Sequence, residues 1–428
     1  MFNNVVIVSA KRTPIGNFRG KLSSLSAVEI GSITLKKAIE SVKLDPDLID
    51  ELIVGHVLQA GCGQAPAKQL AYKSGINMKT PCTSINKVCS SGIKAICLAA
   101  QSIELGINEV VVAGGIESMS QAPYYINNKD LEKIKESDIT NGLFYDGLTD
   151  FRENTSMGIL AEMCAKKYDI SREMQDEFTN ESYIKTLEGY NKEHITKNII
   201  KINTIDSHGK SVQLEKDENL NKYNPDKIKE LKPVFDINGT ITAASSSPVS
   251  DGASMLILMS KKKAKELKIN AIAEVKAFND ASNKPKWFTT APSKSINELL
   301  SVTNKKIDDI DLFEINEAFA TVALANMKIL GLKREMINIY GGAVAMGHPL
   351  GCSGARIIST LIHNLIQEEK STGIASICNG GGGSTSIMIN TIWWNLGFVI
   401  LALFLSERKS QKNQKWLRNY FTEKLFKF

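Results

Sequence analysis

Short apolar runs alternate along the chain with longer stretches in which apolar residues recur every three or four positions. Residues 5–9, 52–57, 84–88 and 110–113 read as strands, and 27–42, 64–74 and 92–105 as helices. Strands alternating with helices of this length imply a largely parallel sheet. The stretch after Cys89 carries Ile93, Ala95, Ile96, Leu98, Ala99, Ala100 and Ile103 around most of its circumference. That distribution predicts a helix buried on nearly all sides, with Gly106 as its stop. From Met119 to about Ser250 the texture turns rich in Lys, Asn, Asp and Glu with weak strand signals, and reads as an insertion. Alternation then resumes, with strands expected at 273–277, 312–315, 337–340, 374–378 and 385–389 and a helix over 355–367.

The two alternating regions echo one another. Cys-Ser-Ser-Gly-Ile-Lys at 89–94 opens a helix that leads to a strand and then Gly114-Gly115. Gly-Cys-Ser-Gly-Ala-Arg at 351–356 opens a helix that leads to a strand and then Gly380–Gly383. A matched order of three elements predicts a duplication. The expected division is a first half at 1–118, to which 250–270 returns, an inserted loop-rich domain at 119–249, a second half at 271–390, and an extension at 391–428.

Composition changes this picture mainly at the C-terminus. The chain has 428 residues, 43% hydrophobic and 23% charged, so disordered and fibrous classes are excluded. Its formal charge is +6, but residues 406–428 hold seven Lys/Arg against two Glu, which leaves about +1 for everything before them. A near-neutral body gives no case for nucleic-acid binding. Seven scattered cysteines without a CxxC pair or an HExxH helix predict free thiols in a reducing compartment and no metal. A strand-like run beginning at Val5 leaves no room for a leader, so the expected address is cytoplasmic.

Four spots carry candidate chemistry. Cys89 sits at a strand-to-helix junction, Asn86-Lys87-Val88-Cys89-Ser90-Ser91-Gly92, where first-turn N–H groups and the helix dipole are expected to lower a thiol pKa. The Gly-rich turn 341–354 displays His348 immediately before Pro349, in a setting that His56, His194, His208 and His363 lack. Cys378 precedes four glycines, Gly380–Gly383. Without a GK[ST] ending or GxGxxG spacing, a second reactive thiol beside the Gly380 N–H is a sharper reading than a phosphate cradle. Asn316, where a strand passes into a helix in Asn316-Glu317-Ala318-Phe319-Ala320, is either a site residue or an N-cap.

In this order and separation, Val-Cys-Ser-Ser-Gly, Asn-Glu-Ala-Phe-Ala, Gly-His-Pro-Leu-Gly-Cys-Ser-Gly and Cys-Asn-Gly-Gly-Gly-Gly resemble the thiolases. The resemblance runs from Arg12-Thr13-Pro14-Ile15-Gly16 to about Ile389. Asp146-Gly147-Leu148-Thr149-Asp150 followed by Met157-Gly158 is more similar to the biosynthetic acetyl-CoA acetyltransferases than to the long-chain 3-ketoacyl-CoA members. It implies an α/β fold of duplicated halves stacked in α/β/α/β/α layers with an inserted loop domain. It also implies a Claisen condensation of two acetyl-CoA to acetoacetyl-CoA and CoA. Coenzyme A thioesters are then substrates, no further cofactor is needed, and the assembly is a homotetramer.

By the same resemblance Cys89 is the acylated nucleophile, His348 takes its proton, and Cys378 is the acid and base that enolises the second acetyl-CoA. His348 and Asn316, the latter through a water, serve the enolate oxygen; the N–H groups of Cys89 and Gly380 serve the tetrahedral oxyanion. Leu148, Met157, Phe235, Ala243, Ser247, Ala318 and Phe319 match CoA-contacting positions. The chain departs from the family pattern at His56, Lys68, Ser156, Ser245 and the segment Trp287-Phe288-Thr289-Thr290-Ala291. Beyond the pattern, the apolar run 392–405 is shorter than the ~20 residues of a membrane span. Trp416, Leu417, Tyr420, Phe421 and Leu425 fall at helical spacing among basic residues, as in a helix resting on anionic lipid. Two readings of 392–428 stand: a peripheral membrane contact, or an appended segment without function.

Overall fold

A computed structural model describes residues 1–126, 133–205 and 209–392. Nearly all of the expected extension, and with it the membrane-contact reading of 392–428, lies outside the described residues. Among the described residues no helix is long and apolar enough to cross a membrane.

The first half builds β1 (Val5–Arg12), α1 (Ala27–Val42), β2 (Glu51–Gly55), α2 (Pro66–Ser74), β3 (Cys82–Ile85), α3 (Ser91–Glu104) and β4 (Val110–Ser118). Its last strand, β5 (Ser250–Ser260), comes after the insertion, and the strands lie in the order β3-β2-β4-β5-β1. β2 pairs parallel with both β3 and β4, whereas β5 runs antiparallel to β4 and β1. The second half repeats this plan with β6 (Ala273–Ser282), α6 (Ala291–Thr303), β7 (Leu312–Ile315), α7 (Ala320–Leu330), α8 (Leu350–Gln367), β8 (Thr372–Asn379) and β9 (Gly383–Thr391). Its strand order is β7-β8-β9-β6, with β7 and β8 parallel and β9 antiparallel to both neighbours. The two sheets meet where β1 pairs with β6 through Val6↔Glu274 and Ile7↔Ala273.

The strand expected at 337–340 is reduced to a single parallel bridge, Phe313↔Ile337, in the place that β3 occupies in the first half. Gly341 and Gly342 follow at once and turn the chain toward the site, which leaves no length for a ladder. Ser250–Ser260 was legible only as a return to the first half, yet forms an eleven-residue strand buried throughout. Completely buried strands lose the alternation that marks half-buried ones.

α3 and α8 pack on each other between the sheets, α1 and α2 cover the first sheet, and α6 lies on the second, giving the expected α/β/α/β/α layers. Their apolar surfaces fuse into one core, in which Ile93, Ile96 and Ile103 meet Ile358, Leu361 and Leu365 between Val111 and Ile377. The inserted segment contributes α4 (Met157–Lys167), α5 (Arg172–Asn191) and a small hairpin, 202–205 with 211–214. It is tied to the first half by a buried ion pair in which both terminal nitrogens of Arg12 donate to the Asp217 carboxylate, at 2.7 and 3.0 Å.

Candidate active site

The turn that carries Cys89 is tightly determined. After β3 the Asn86 side chain accepts from Val88 N–H at 2.9 Å, and Ser91 Oγ accepts from Lys87 N–H at 2.8 Å while donating to Val88 O at 2.6 Å. Val88 is held at φ +49°, where a β-branched residue is strained, and this delivers Cys89 to the turn before α3. Lys87 reaches across to Thr385 Oγ1 at 2.8 Å and to the Asp280 carboxylate, so elements of the second half hold the turn from outside.

Cys378 lies at the end of β8, 1% exposed. Ser90, next to Cys89, donates to Asn379 Oδ1 at 2.8 Å, which links the two cysteine segments directly. The backbone N–H groups of Gly380 and of Cys89 itself both face the Cys89 sulfur.

His348 follows Gly347, whose φ of +118° places its Cα against Ser250, where any side chain would collide with the Ser250 hydroxyl. The imidazole is 6% exposed. Its Nδ1 lies 2.5 Å from Ser353 Oγ, and its Nε2 has no hydrogen-bond partner. Asn316 is buried behind it, Nδ2 3.5 Å from His348 Nδ1, and its Oδ1 accepts from Arg356 Nη2 at 2.9 Å. Asn316 caps no helix: the cap of α7 is Phe319. Its neighbour Glu317 accepts from Ser182 Oγ, Asn338 Nδ2 and Val344 N–H, and so fixes the loop that leads to His348.

Cys89, His348, Cys378 and Gly380 line one cavity of about 200 Å³. Leu148, Met157, Phe235, Ser247, Ala318 and Phe319 line it too, whereas Ala243 is exposed and outside the lining, and Asn316 stands behind His348. Ser247 is set by two bonds to Ala318 O, from its N–H at 3.0 Å and its hydroxyl at 2.8 Å. Phe288, which lies in the departing segment 287–291, is buried in the wall beside Cys378, and sequence reasoning missed Phe144 at the opening. It also missed the two residues that touch His348 and Asn316. Ser353 and Arg356 lie in the stretch that flags the duplication, and their spacing of three on a helix opening just after His348 was the available signal.

Of the departures, Ser156 caps α4 by accepting from Gly158 N–H at 3.2 Å and lines the cavity, and Ser245 accepts from Thr242 N–H at 2.9 Å. Lys68 donates to the carbonyls of Met78 and Thr80. His56 is fully buried, 3.5 Å from Glu117. Among the described residues no group of three His, Cys, Asp or Glu side chains is arranged to hold a metal ion.

Burial dominates the electrostatics. It pushes the Cys89 thiol up to about 12, against the opposing N–H groups of Gly380 and Cys89. The expectation that a helix start lowers this pKa is therefore overturned: Cys89 precedes the helix by two residues, and desolvation outweighs the dipole. Cys378 is raised well above the usual thiol range by burial and by its proximity to Cys89. His348 is pushed down to about 3 by burial and then by the charge of Arg356. At neutral pH the site thus holds two thiols and a neutral imidazole with a bare ring nitrogen, a set arranged for proton transfer on demand.

Comparison with known proteins agrees with the geometry. The thiolase N-terminal domain model matches residues 5–262 and the thiolase C-terminal domain model matches 269–391. The acetyl-CoA acetyltransferase of Saccharomyces cerevisiae is 45% identical over 398 residues, covering 92% of this chain and 100% of that protein. A cytosolic acetyl-CoA acetyltransferase of Gibberella zeae is 42% identical over 390 residues, covering 91% and 98%. The crystal structure of the Acat5 thiolase from Ascaris suum in complex with coenzyme A superposes with a TM-score of 0.86 at 41% identity, covering 91% of this chain and 100% of that one.

Proposed function

The chain belongs to the thiolase family, and from that premise we propose that it is an acetyl-CoA C-acetyltransferase joining two acetyl-CoA into acetoacetyl-CoA and CoA. The observation that carries this reading is the meeting of Cys89, His348 and Cys378 around one small, largely apolar cavity. Condensation needs a nucleophile that can also leave, which a thiol provides. In the proposed sequence His348 Nε2 takes the Cys89 proton as sulfur attacks the acetyl carbonyl, and CoA leaves with the proton of Cys378. The Cys378 thiolate then removes a methyl proton from the second acetyl-CoA, and the resulting carbanion attacks acetyl-Cys89, whose sulfur leaves and recovers its proton from His348. The N–H groups of Cys89 and Gly380 serve the tetrahedral oxyanion, and His348 with Asn316 serves the enolate; one such donor is worth about 3 kcal/mol in comparable sites.

The pantetheine arm lies along Leu148, Met157, Phe235, Ser247, Ala318 and Phe319, with Ala243 farther out, and the inserted domain 119–249 supplies much of that wall. The whole cavity, walled in part by Phe288, Phe235 and Phe319, holds only about 200 Å³, which supports short acyl groups over long ones. A cytoplasmic address rests on the relative from Gibberella zeae, and a homotetramer on family resemblance; sedimentation of the full chain tests the latter. Flotation of the full chain with anionic vesicles tests membrane contact through 392–428.

The deciding experiment is thiolysis of acetoacetyl-CoA with mass spectrometry of the trapped acyl-enzyme. Acetyl is expected on the peptide bearing Cys89, and Cys89→Ala should lower turnover by at least about 10²-fold. Condensation surviving in that variant would sink the nucleophile assignment, and a preference for long-chain 3-ketoacyl-CoA would sink the substrate.

A further inference from the structure

The first turns of α8 touch both polar groups of the site from behind. Ser353 Oγ lies 2.8 Å from Pro349 O and 2.5 Å from His348 Nδ1. A carbonyl oxygen can only accept, so the first contact is a hydrogen bond only if the single hydroxyl proton of Ser353 is directed to Pro349 O. The oxygen of Ser353 is then left as an acceptor, and the contact to His348 requires the ring to donate from Nδ1. Three residues on, the Arg356 guanidinium is 1% exposed and donates to Asn316 Oδ1 at 2.9 Å. A guanidinium has no acceptor atom, so the Asn316 amide is held with its oxygen toward Arg356; its NH2 lies 3.5 Å from His348 Nδ1, too far to compete with the 2.5 Å Ser353 contact, and is not spent on the ring. The imidazole proton and the amide orientation are therefore set by one helix face, and His348 Nε2 is left as a bare lone pair with no partner in the protein.

We propose that Ser353 and Arg356 are positioning residues of the reaction: Ser353 locks His348 in the Nδ1–H tautomer so that Nε2 is the proton acceptor, and Arg356 locks the amide of Asn316 so that its NH2 serves the enolate. This rests on the acetyltransferase reading and adds to it a pair of residues that never touch substrate. The tautomer matters because the opposite one would present an N–H to the Cys89 thiol and could not take its proton.

The direct test is nitrogen NMR of the full-length protein labelled in its histidine rings, with His348→Gln assigning the His348 signals. A pyrrole-like Nδ1 and a pyridine-like Nε2 are expected; the reverse assignment overturns the proposal without any variant of Ser353. In kinetics, Ser353→Ala should lower kcat at least about tenfold with KM within about twofold, and Ser353→Thr, which keeps the hydroxyl, should recover most of the loss. A Ser353→Ala enzyme with unchanged kcat, or a Thr variant as impaired as Ala, counts against it. Wild-type thiolysis is measured alongside, and its absence would instead remove the acetyltransferase reading itself.

Discussion

At the scale of single residues the identity of the reactive groups was legible and their protonation was not. Cys89, His348 and Cys378 stand out because each sits in or directly beside a short Gly- or Ser-rich turn. The resting pKa of Cys89 depends instead on how thoroughly its surroundings exclude water, which no local pattern encodes, and burial lifts it to about 12. The same exclusion keeps His348 neutral, with the Arg356 charge as the second cause. Arg356→Met removes that cation, so the imidazolium forms more readily and the His348 pKa rises from about 3 toward its ordinary value. The base is lost on protonation, so the acid limb of kcat/KM should move to higher pH, while burial keeps it below the limb of an exposed histidine. A pH–rate profile of the variant checks this; a limb that stays put or moves to lower pH would show that Arg356 does not act electrostatically on His348.

At the scale of elements, the helices of the first half were read well because an apolar stripe needs only local spacing, whereas α8 begins five residues before its expected start and α4–α7 were given no span. α1 matches its expected span and is closed by a capping box between Ser26 and Glu29. β4 and β5 were shortened or missed because Gly114, Gly115, Ser250, Asp251 and Gly252 look like loop residues. In the structure those positions pair directly, Met255 with Gly114 and Asp251 with Ser118. Nor did spacing reveal that Arg12, in β1, is married to Asp217, more than two hundred positions away. Tyr190 Oη also donates to that carboxylate, at 2.9 Å, and Ile15 N–H at 2.8 Å, so the carboxylate is well satisfied, while Arg12, 2% exposed, has only its Nε without a partner. Asp217→Ala would leave a buried guanidinium uncompensated, a loss of about 3–5 kcal/mol. Chemical denaturation should show that loss, and a Arg12→Met/Asp217→Leu double variant should recover part of it, since well-packed apolar replacements avoid the stranded charge. A single variant as stable as wild type would mean that water reaches Arg12.

At the scale of the whole molecule, the repeat between 89–94 and 351–356 has a steric reason that the sequence alone did not supply. The two motifs open α3 and α8, and those helix starts cross in contact at the centre of the molecule. A Cβ on Gly92 would lie 2.6 Å from Gly351 O and 2.8 Å from Ala355 N, and one on Gly354 would overlap the backbone nitrogen of Ile93. Each half thus presents a glycine where the other half's backbone passes, and the crossing brings Cys89 from one half against His348 and Cys378 from the other. Gly354→Ala sets two effects against each other. Alanine favours the helix over glycine by about 1 kcal/mol, but a methyl group against main chain cannot be relieved by turning a side chain and costs about 1–3 kcal/mol or more. Sterics should win: the melting temperature falls by several degrees, and because the crossing itself must open, Cys89 and Cys378 separate and condensation falls further than the loss of folded protein accounts for. Activity per folded molecule, measured well below the melting transition, separates these contributions. If the variant melts lower but keeps full activity per folded molecule, the crossing supports the fold without setting the distance between the two thiols.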